Sequence, residues 1–213
     1  MLEWACSAFL GDRRCAGAVF ALAADDAQWP AVRARLERAG LAPVIEAPGG
    51  AERVDSVRNA LQALGERAQP EDLVLVHDAA RPCLERVDVE SLLRAATECA
   101  DGALLAAPLA DTLKRGAGEH VQQTLPREQL WRALTPQAAR FARLRAALDN
   151  AAKSGRVPTD EAQALEWMGA APRLVTGAAS NLKVTTLDDL GVAKALLEAR
   201  VHANLPGGAS RAR

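Results

Sequence analysis

Lysine is scarce in this 213-residue chain, four residues against 22 arginines, and no excess charge of either sign exists: the net charge is −1. A balance so close to zero leaves no electrostatic footprint for nucleic acid or for an anionic membrane surface. No apolar run is long enough to span a bilayer. The opening "MLEWACSAFLGDRR" has the wrong order of charge and apolar residues for a secretory leader, so a cytoplasmic protein is expected. The four cysteines (Cys6, Cys15, Cys83 and Cys99) form no CxxC pair, and His77, His120 and His202 are scattered, which excludes the usual spacings of a metal site. No GxGxxG follows any strand-like segment, which argues against a dehydrogenase. What remains is ordinary for a soluble globular protein, 49% apolar and 25% charged, with length for one domain and a sizeable core.

Strand-like and helix-like segments alternate along the chain. "AGAVFALAA" (16–24) reads as a strand, "AQWPAVRARLERAG" (27–40) as a helix, and "APVIEA" (42–47) as a short strand. In "VDSVRNALQALGERA" (54–68), Val54, Val57, Leu61 and Leu64 recur at helical intervals. "LVLV" (73–76) is a continuous apolar run, as expected of a strand covered on both faces. A helix over 86–100, capped by Asp88, follows. This order predicts an α/β, Rossmann-like fold with a mostly parallel sheet and helices on both faces. Beyond it, "GALLAAPLADTLKR" (102–115) and "HVQQTLPR" (120–127), joined through Gly116 and Gly118, predict a hairpin projecting from the body. An isolated hairpin is marginal, so its economical partner is a second copy of the chain. The periodicity further predicts a helix from about Gln137 to 155, a helix over 159–169 with Thr159 as its cap, a strand over 171–177 and a last helix over 186–201. Residues 1–205 read as one domain with the arm at about 111–127, and 206–213 as a frayed tail.

Polar residues gather where apolar elements end, which in parallel sheets is where ligands bind. "GGAERVDS" (49–56) leads into a helix N-terminus suited to an anion. "HDAARP" (77–82) places Asp78 and Arg81 at a strand end, "DTLKR" (111–115) places Thr112 there, and "SNLKVT" (180–185) sets Lys183 among apolar neighbours. Taken singly, each has an ordinary structural reading as a turn, a surface ion pair or a cap. Taken together, the cations Arg81, Arg127 and Lys183, the hydroxyls of Thr112, Thr135 and Thr159, and the carboxylate of Asp78 suit a phosphorylated polyol beside a metal-bound nucleotide.

"GGAERVDSV", "VLVHDAARPC", "AAPLADTLKR", "LWRALTPQ", "PTDEAQALE" and "NLKVT" stand in an order and spacing that resembles the 2-C-methyl-D-erythritol 4-phosphate cytidylyltransferase family. The resemblance runs from the first residue to about residue 200. It implies transfer of CMP from CTP to the phosphate of methylerythritol phosphate with Mg²⁺, releasing pyrophosphate, by an enzyme that works as a homodimer through its arm. It also implies that Gly50, Arg53, Ser56, Asp78 and Ala79 line the cytidine pocket and that Asp78 meets the metal. Asp78, Arg81, Thr112, Thr135 and Thr159 would hold the polyol, while Lys183, and Arg127 from a partner's arm, would act on the substrate phosphate. Ala51 stands where the family commonly has an acidic residue after the double glycine.

The front of the chain departs from the family pattern. The family opens on a strand and a glycine-rich loop resembling "PAAGxGxRM", then a lysine in "PKQ", which together hold the CTP triphosphate; "FLGDRR" does not replace them. The difference amounts to roughly 35–40 residues by usual element lengths. The expectation is a sheet short of one strand and a weak catalyst, with the intact downstream motifs favouring a start placed too far downstream over a truncated gene or a degenerate copy. A cytidylyltransferase for another polyol phosphate, such as ribitol 5-phosphate, is the alternative within enzymes. A binding or assembly protein that keeps the arm and polyol pocket is the alternative outside them.

Overall fold

The computed structural model describes residues 1–40 and 43–203. Its strands are β1 (Ala18–Leu22), β2 (Val44–Pro48), β3 (Leu73–Val76), β4 (Ala103–Pro108), β5 (Leu113–Ala117), β6 (His120–Leu125), β7 (Trp131–Arg140) and β8 (Arg173–Thr176). Its helices are α1 (Leu2–Cys6), α2 (Trp29–Arg38), α3 (Arg53–Leu64), α4 (Arg86–Glu98), α5 (Phe141–Lys153), α6 (Glu161–Glu166) and α7 (Leu187–Ala203). The expected frayed tail at 206–213, and Ala42 at the start of the expected second strand, lie outside the described residues.

Two sheets build the α/β body. β1 and β2 pair in parallel, and β3, β7, β4 and β8 form a four-stranded sheet in that order. In the larger sheet β3, β4 and β8 run one way and β7 alone opposes them. The mostly parallel expectation therefore holds for strand direction. Among the described residues β1 pairs only with β2, and β3 only with β7. The body's strands therefore fall into two separate sheets.

Alternation along β3 explains why it reads as an unbroken apolar run. Leu73 and Leu75 join the core formed by Leu84, Val89, Leu92 and Ala96 together with Leu105 and Leu134. Val74 and Val76 face the opposite core, where Val57 and Leu61 of α3 meet Phe141, Leu144 and Leu148 of α5 and Leu165 of α6. Both faces are covered, so neither can carry polar residues. A third cluster, including Phe20, Trp29, Leu36 and Val44, closes α2 over β1 and β2.

The largest correction concerns residues 137–140. The expected helix from Gln137 is the second half of strand β7, and α5 begins only at Phe141. Alanine, glutamine and arginine are good helix formers, but β7 is central, with β3 hydrogen-bonded on one side and β4 on the other. Ladder pairing on both edges overrides local preference. Pro136, which has no N–H to offer, sits where the β4 partner shifts from Gln137 opposite Leu104 to Ala133 opposite Ala106. Such an irregularity is where a strand tolerates proline. A smaller correction concerns α4: its N-cap is Glu85, while Asp88 is a buried first-turn residue that accepts from the Ala178 N–H at 3.2 Å.

The arm is an excursion between β4 and β7. β5 and β6 form the expected antiparallel hairpin, rooted where the Leu109 N–H donates to the Leu130 carbonyl and Pro108 faces Trp131. Almost all of its residues are exposed.

Candidate active site

Register determines what meets at the end of β3. Val76 pairs with Gln137 in antiparallel fashion, so the next positions bring Asp78 opposite Thr135. The Asp78 N–H donates to the Thr135 hydroxyl at 3.0 Å. Residues 78–81 then turn, closed by the Arg81 N–H on the Asp78 carbonyl. A second loop, 180–185, is tied to this turn at two points and to β7 at a third. The Val184 N–H donates to the Ala80 carbonyl, the Arg81 guanidinium to the Asn181 carbonyl at 2.9 Å, and the Asn181 amide to the Thr135 carbonyl at 2.7 Å. That tie brings Lys183, about a hundred residues away in sequence, to Asp78.

Asp78 is the hub of the site. Its Oδ1 takes the Arg53 Nε at 2.9 Å, and its Oδ2 lies 3.3 Å from the Lys183 Nζ and 3.4 Å from the Arg81 Nε. Burial opposes a charge on Asp78, but Arg53, Lys183 and Arg81 outweigh it and hold the carboxyl below its usual value. Burial pulls the Arg81 guanidinium downward. Arg53 is held by a second carboxylate as well: its two terminal nitrogens donate to both oxygens of Glu161 at 2.7 and 3.0 Å. Although burial opposes its charge, Glu161 and Asp78 raise the Arg53 pKa. The bidentate fork is the strong form of such a contact, and Glu161 is only 3% exposed. Lys183, at 44%, is the most exposed of the three cations.

The 49–56 segment arrives here through α3. Glu52 caps that helix, with Asp55 returning the bond in a reciprocal capping box. The Gly50 N–H donates to the Ser56 hydroxyl at 2.9 Å. A Cβ on Gly50 would lie 2.2 Å from the Asp55 Cβ, so the chain can cross the first turn of α3 here only as glycine. Ala79 is exposed on the 78–81 turn.

The other expected site residues stand apart from this hub. The Thr135 hydroxyl is buried, occupied by the Asp78 N–H and by the His77 Nδ1 at 2.9 Å. Thr159 is exposed and binds Gln163; it is not the cap of α6, because the Asp160 carboxylate accepts the Gln163 N–H. Thr112 is exposed at the start of the arm. Arg127 is exposed and donates to the Ala110 carbonyl at the root of its own arm. Among the described residues none of these three contacts Arg53, Asp78, Arg81 or Lys183. Cys83 is fully buried, its thiol pushed up by burial.

Sequence reading missed three residues that hold this site together: Glu161, Asn181 and Gln137. Gln137 is buried and joins β7 to α6 by donating to Asp160 and accepting the Ala162 N–H. An available signal was polar residues inside otherwise apolar elements, at buried positions that require partners. A resident metal at Asp78 does not fit. Both carboxylate oxygens already face cations, and among the described residues no three His, Cys, Asp or Glu side chains group as metal ligands. Three cations against two carboxylates suit an incoming phosphate better than a bare dication.

Comparison with known proteins identifies the family. Residues 1–199 match the family model for IspD, 2-C-methyl-D-erythritol 4-phosphate cytidylyltransferase. The protein of that name from Halorhodospira halophila is 52% identical over 200 residues, covering 94% of this chain and 82% of the relative. That from Acidithiobacillus ferrooxidans is 48% identical over 198 residues, covering 91% and 82%. A crystal structure of a 4-diphosphocytidyl-2C-methyl-D-erythritol synthase superposes with a TM-score of 0.82 at 36% identity, covering 92% of this chain and 89% of that one. The Thermus thermophilus cytidylyltransferase gives 0.77 at 34% identity, covering 92% and 88%. With a family match over nearly its whole length and these relatives, the chain belongs to the 2-C-methyl-D-erythritol 4-phosphate cytidylyltransferase family.

Proposed function

We propose that this chain transfers CMP from CTP to the phosphate of 2-C-methyl-D-erythritol 4-phosphate, releasing pyrophosphate, in non-mevalonate isoprenoid precursor synthesis. The observation that carries the reading is the convergence of Arg53, Arg81 and Lys183 on Asp78 at the carboxyl end of β3. An oxygen of the acceptor phosphate attacks the α-phosphorus of CTP. The new P–O bond forms as the bond to the departing pyrophosphate oxygen breaks, so the protein's work is positioning and charge neutralisation. Lys183 shifts from Asp78 to the acceptor phosphate, and Arg81 stays fixed by the Asn181 carbonyl. Asp78 then meets the nucleotide and the polyol between the two cations it retains.

Gly50, Arg53, Ser56 and Ala79 border the cytidine, and Arg53 acts mainly by orienting Asp78. Thr112 and Thr159 offer hydroxyls to the polyol, while Thr135 works through the Asp78 backbone. The family depends in general on a divalent cation, and here that cation is Mg²⁺, entering with the nucleotide phosphates as part of the substrate. Residues 1–205 act as one unit in the cytoplasm. No described helix is long and apolar enough to cross a membrane.

The exposed arm pairs with a second copy and brings Arg127 to the partner's acceptor phosphate. Replacing residues 112–126 with a short glycine linker should convert a dimer into a monomer by sedimentation; a chain already monomeric with its arm intact would refute the dimer. For the reaction, the test is the mass of the product from CTP with either acceptor. A diphosphocytidyl product from methylerythritol phosphate, at least tenfold preferred over ribitol 5-phosphate, is expected. Preference for ribitol 5-phosphate, or binding without product, would replace the reading.

A further inference from the structure

His77 is the one polar residue of "HDAARP" that the transfer reaction leaves without a task. It follows β3 directly and lies between two partners: its Nδ1 is 2.9 Å from the Thr135 hydroxyl and its Nε2 3.1 Å from the Arg81 carbonyl. The Phe9 ring packs against the imidazole at 68°, with centroids 6.0 Å apart.

Burial pushes the His77 pKa down to about 4 and keeps the ring neutral at neutral pH, and for a neutral ring the protons in this group have one consistent arrangement. The Arg81 carbonyl can only accept, so the His77 Nε2 carries hydrogen. The Thr135 hydroxyl accepts from the Asp78 N–H, and its own proton points to the remaining partner, the His77 Nδ1. The neutral ring is therefore the Nε2–H tautomer.

We infer that His77 is a positioning residue, a rigid strut across the 77–81 turn that fixes Asp78 through Thr135 at one end and Arg81 through its carbonyl at the other. The inference rests on the proposed reaction, in which Asp78 and Arg81 face the substrates. The two ring nitrogens divide the task. Nδ1 orients the hydroxyl on which the Asp78 backbone hangs, and Nε2 holds the last residue of the turn, whose side chain is also tied to Asn181. A turn fastened at both ends keeps the two charges in register; one fastened at neither lets them drift on the scale of an ångström, which costs about a hundredfold in rate.

Two substitutions separate the ends. In His77→Asn the side-chain oxygen can replace Nδ1 as acceptor from Thr135 but does not reach Arg81. In His77→Gln the amide can replace Nε2 as donor to Arg81 and loses Thr135. The expected result is that His77→Ala lowers kcat about a hundredfold. Asn recovers most of kcat but raises KM for methylerythritol phosphate several-fold, and Gln does the reverse. Equal kinetics in all three variants and the parent, or losses that simply follow the drop in melting temperature, would overturn the inference.

A second measurement needs no turnover. With only three histidines in the chain, ¹⁵N spectra of the imidazoles at neutral pH should show one locked Nε2–H ring that disappears in His77→Gln. A charged ring, an Nδ1–H ring or a rapidly exchanging one at His77 would overturn the strut whatever the kinetics. If the parent made no product while the locked tautomer was present, the proposed reaction would fall and the strut would remain.

Discussion

The 77–81 turn and the 112–127 arm begin alike, each a polar segment that leaves an apolar strand, yet their surroundings differ sharply. Asp78 is reached by side chains from α3, from its own turn and from the 180–185 loop, and Arg53 is anchored from behind by α6. The arm has its own ladder, cross-strand contacts such as Lys114 with Thr124 at 2.7 Å, and Arg127 bound to its own root. One region is arranged before any substrate arrives. The other leaves almost all of its residues exposed. Preorganisation of this kind is what makes charge effective in a site, and only the body has it.

Removing the anchor behind Arg53 would break the contrast most severely. Glu161→Ala leaves a part-buried guanidinium without its bidentate partner and should cost about 3 kcal/mol in chemical denaturation, with a kcat loss well beyond the unfolded fraction. A loss under about 1 kcal/mol would mean that the body is no better arranged than the arm.

Acid should weaken the body through His77. Between pH 6.5 and about 4 the unfolded chain binds a proton at this ring that the folded chain refuses. Stability from His77 is complete above pH 6.5 and is lost as pH falls through that window, by up to about 3 kcal/mol. Denaturation midpoints of the parent and His77→Gln at pH 7 and 4.5 isolate this share; identical pH slopes would contradict it.

The arm should barely respond. Lys114→Met removes an exposed contact and should change stability by less than about 0.5 kcal/mol. A larger loss in the isolated monomer would show the arm packed on the body.

Legibility followed sequence distance. The β3 run, the amphipathic α3, the hairpin and the polar strand end were readable because their signals are local. Strand β7 was not, since "TPQAAR" prefers helix until β3 and β4 take both its edges. The same distance hid Glu161, whose partner Arg53 lies 108 residues away, and Asn181, whose value comes from joining Thr135 and Arg81. Thr159 and Asp88 were misread as caps because a capping pattern admits neighbouring residues; Asp160 and Glu85 hold those places. Asp78, Arg81, Arg53 and Lys183 were named by motif, but that one carboxylate receives all three cations is a fact of the fold.

The most direct test of the account is pyrophosphate release by the 213-residue chain with CTP, methylerythritol phosphate and Mg²⁺, compared with Asp78→Asn. The account predicts release that requires both substrates and falls about a thousandfold in the variant. Release that continues without the acceptor, or that survives loss of the Asp78 charge, would contradict it.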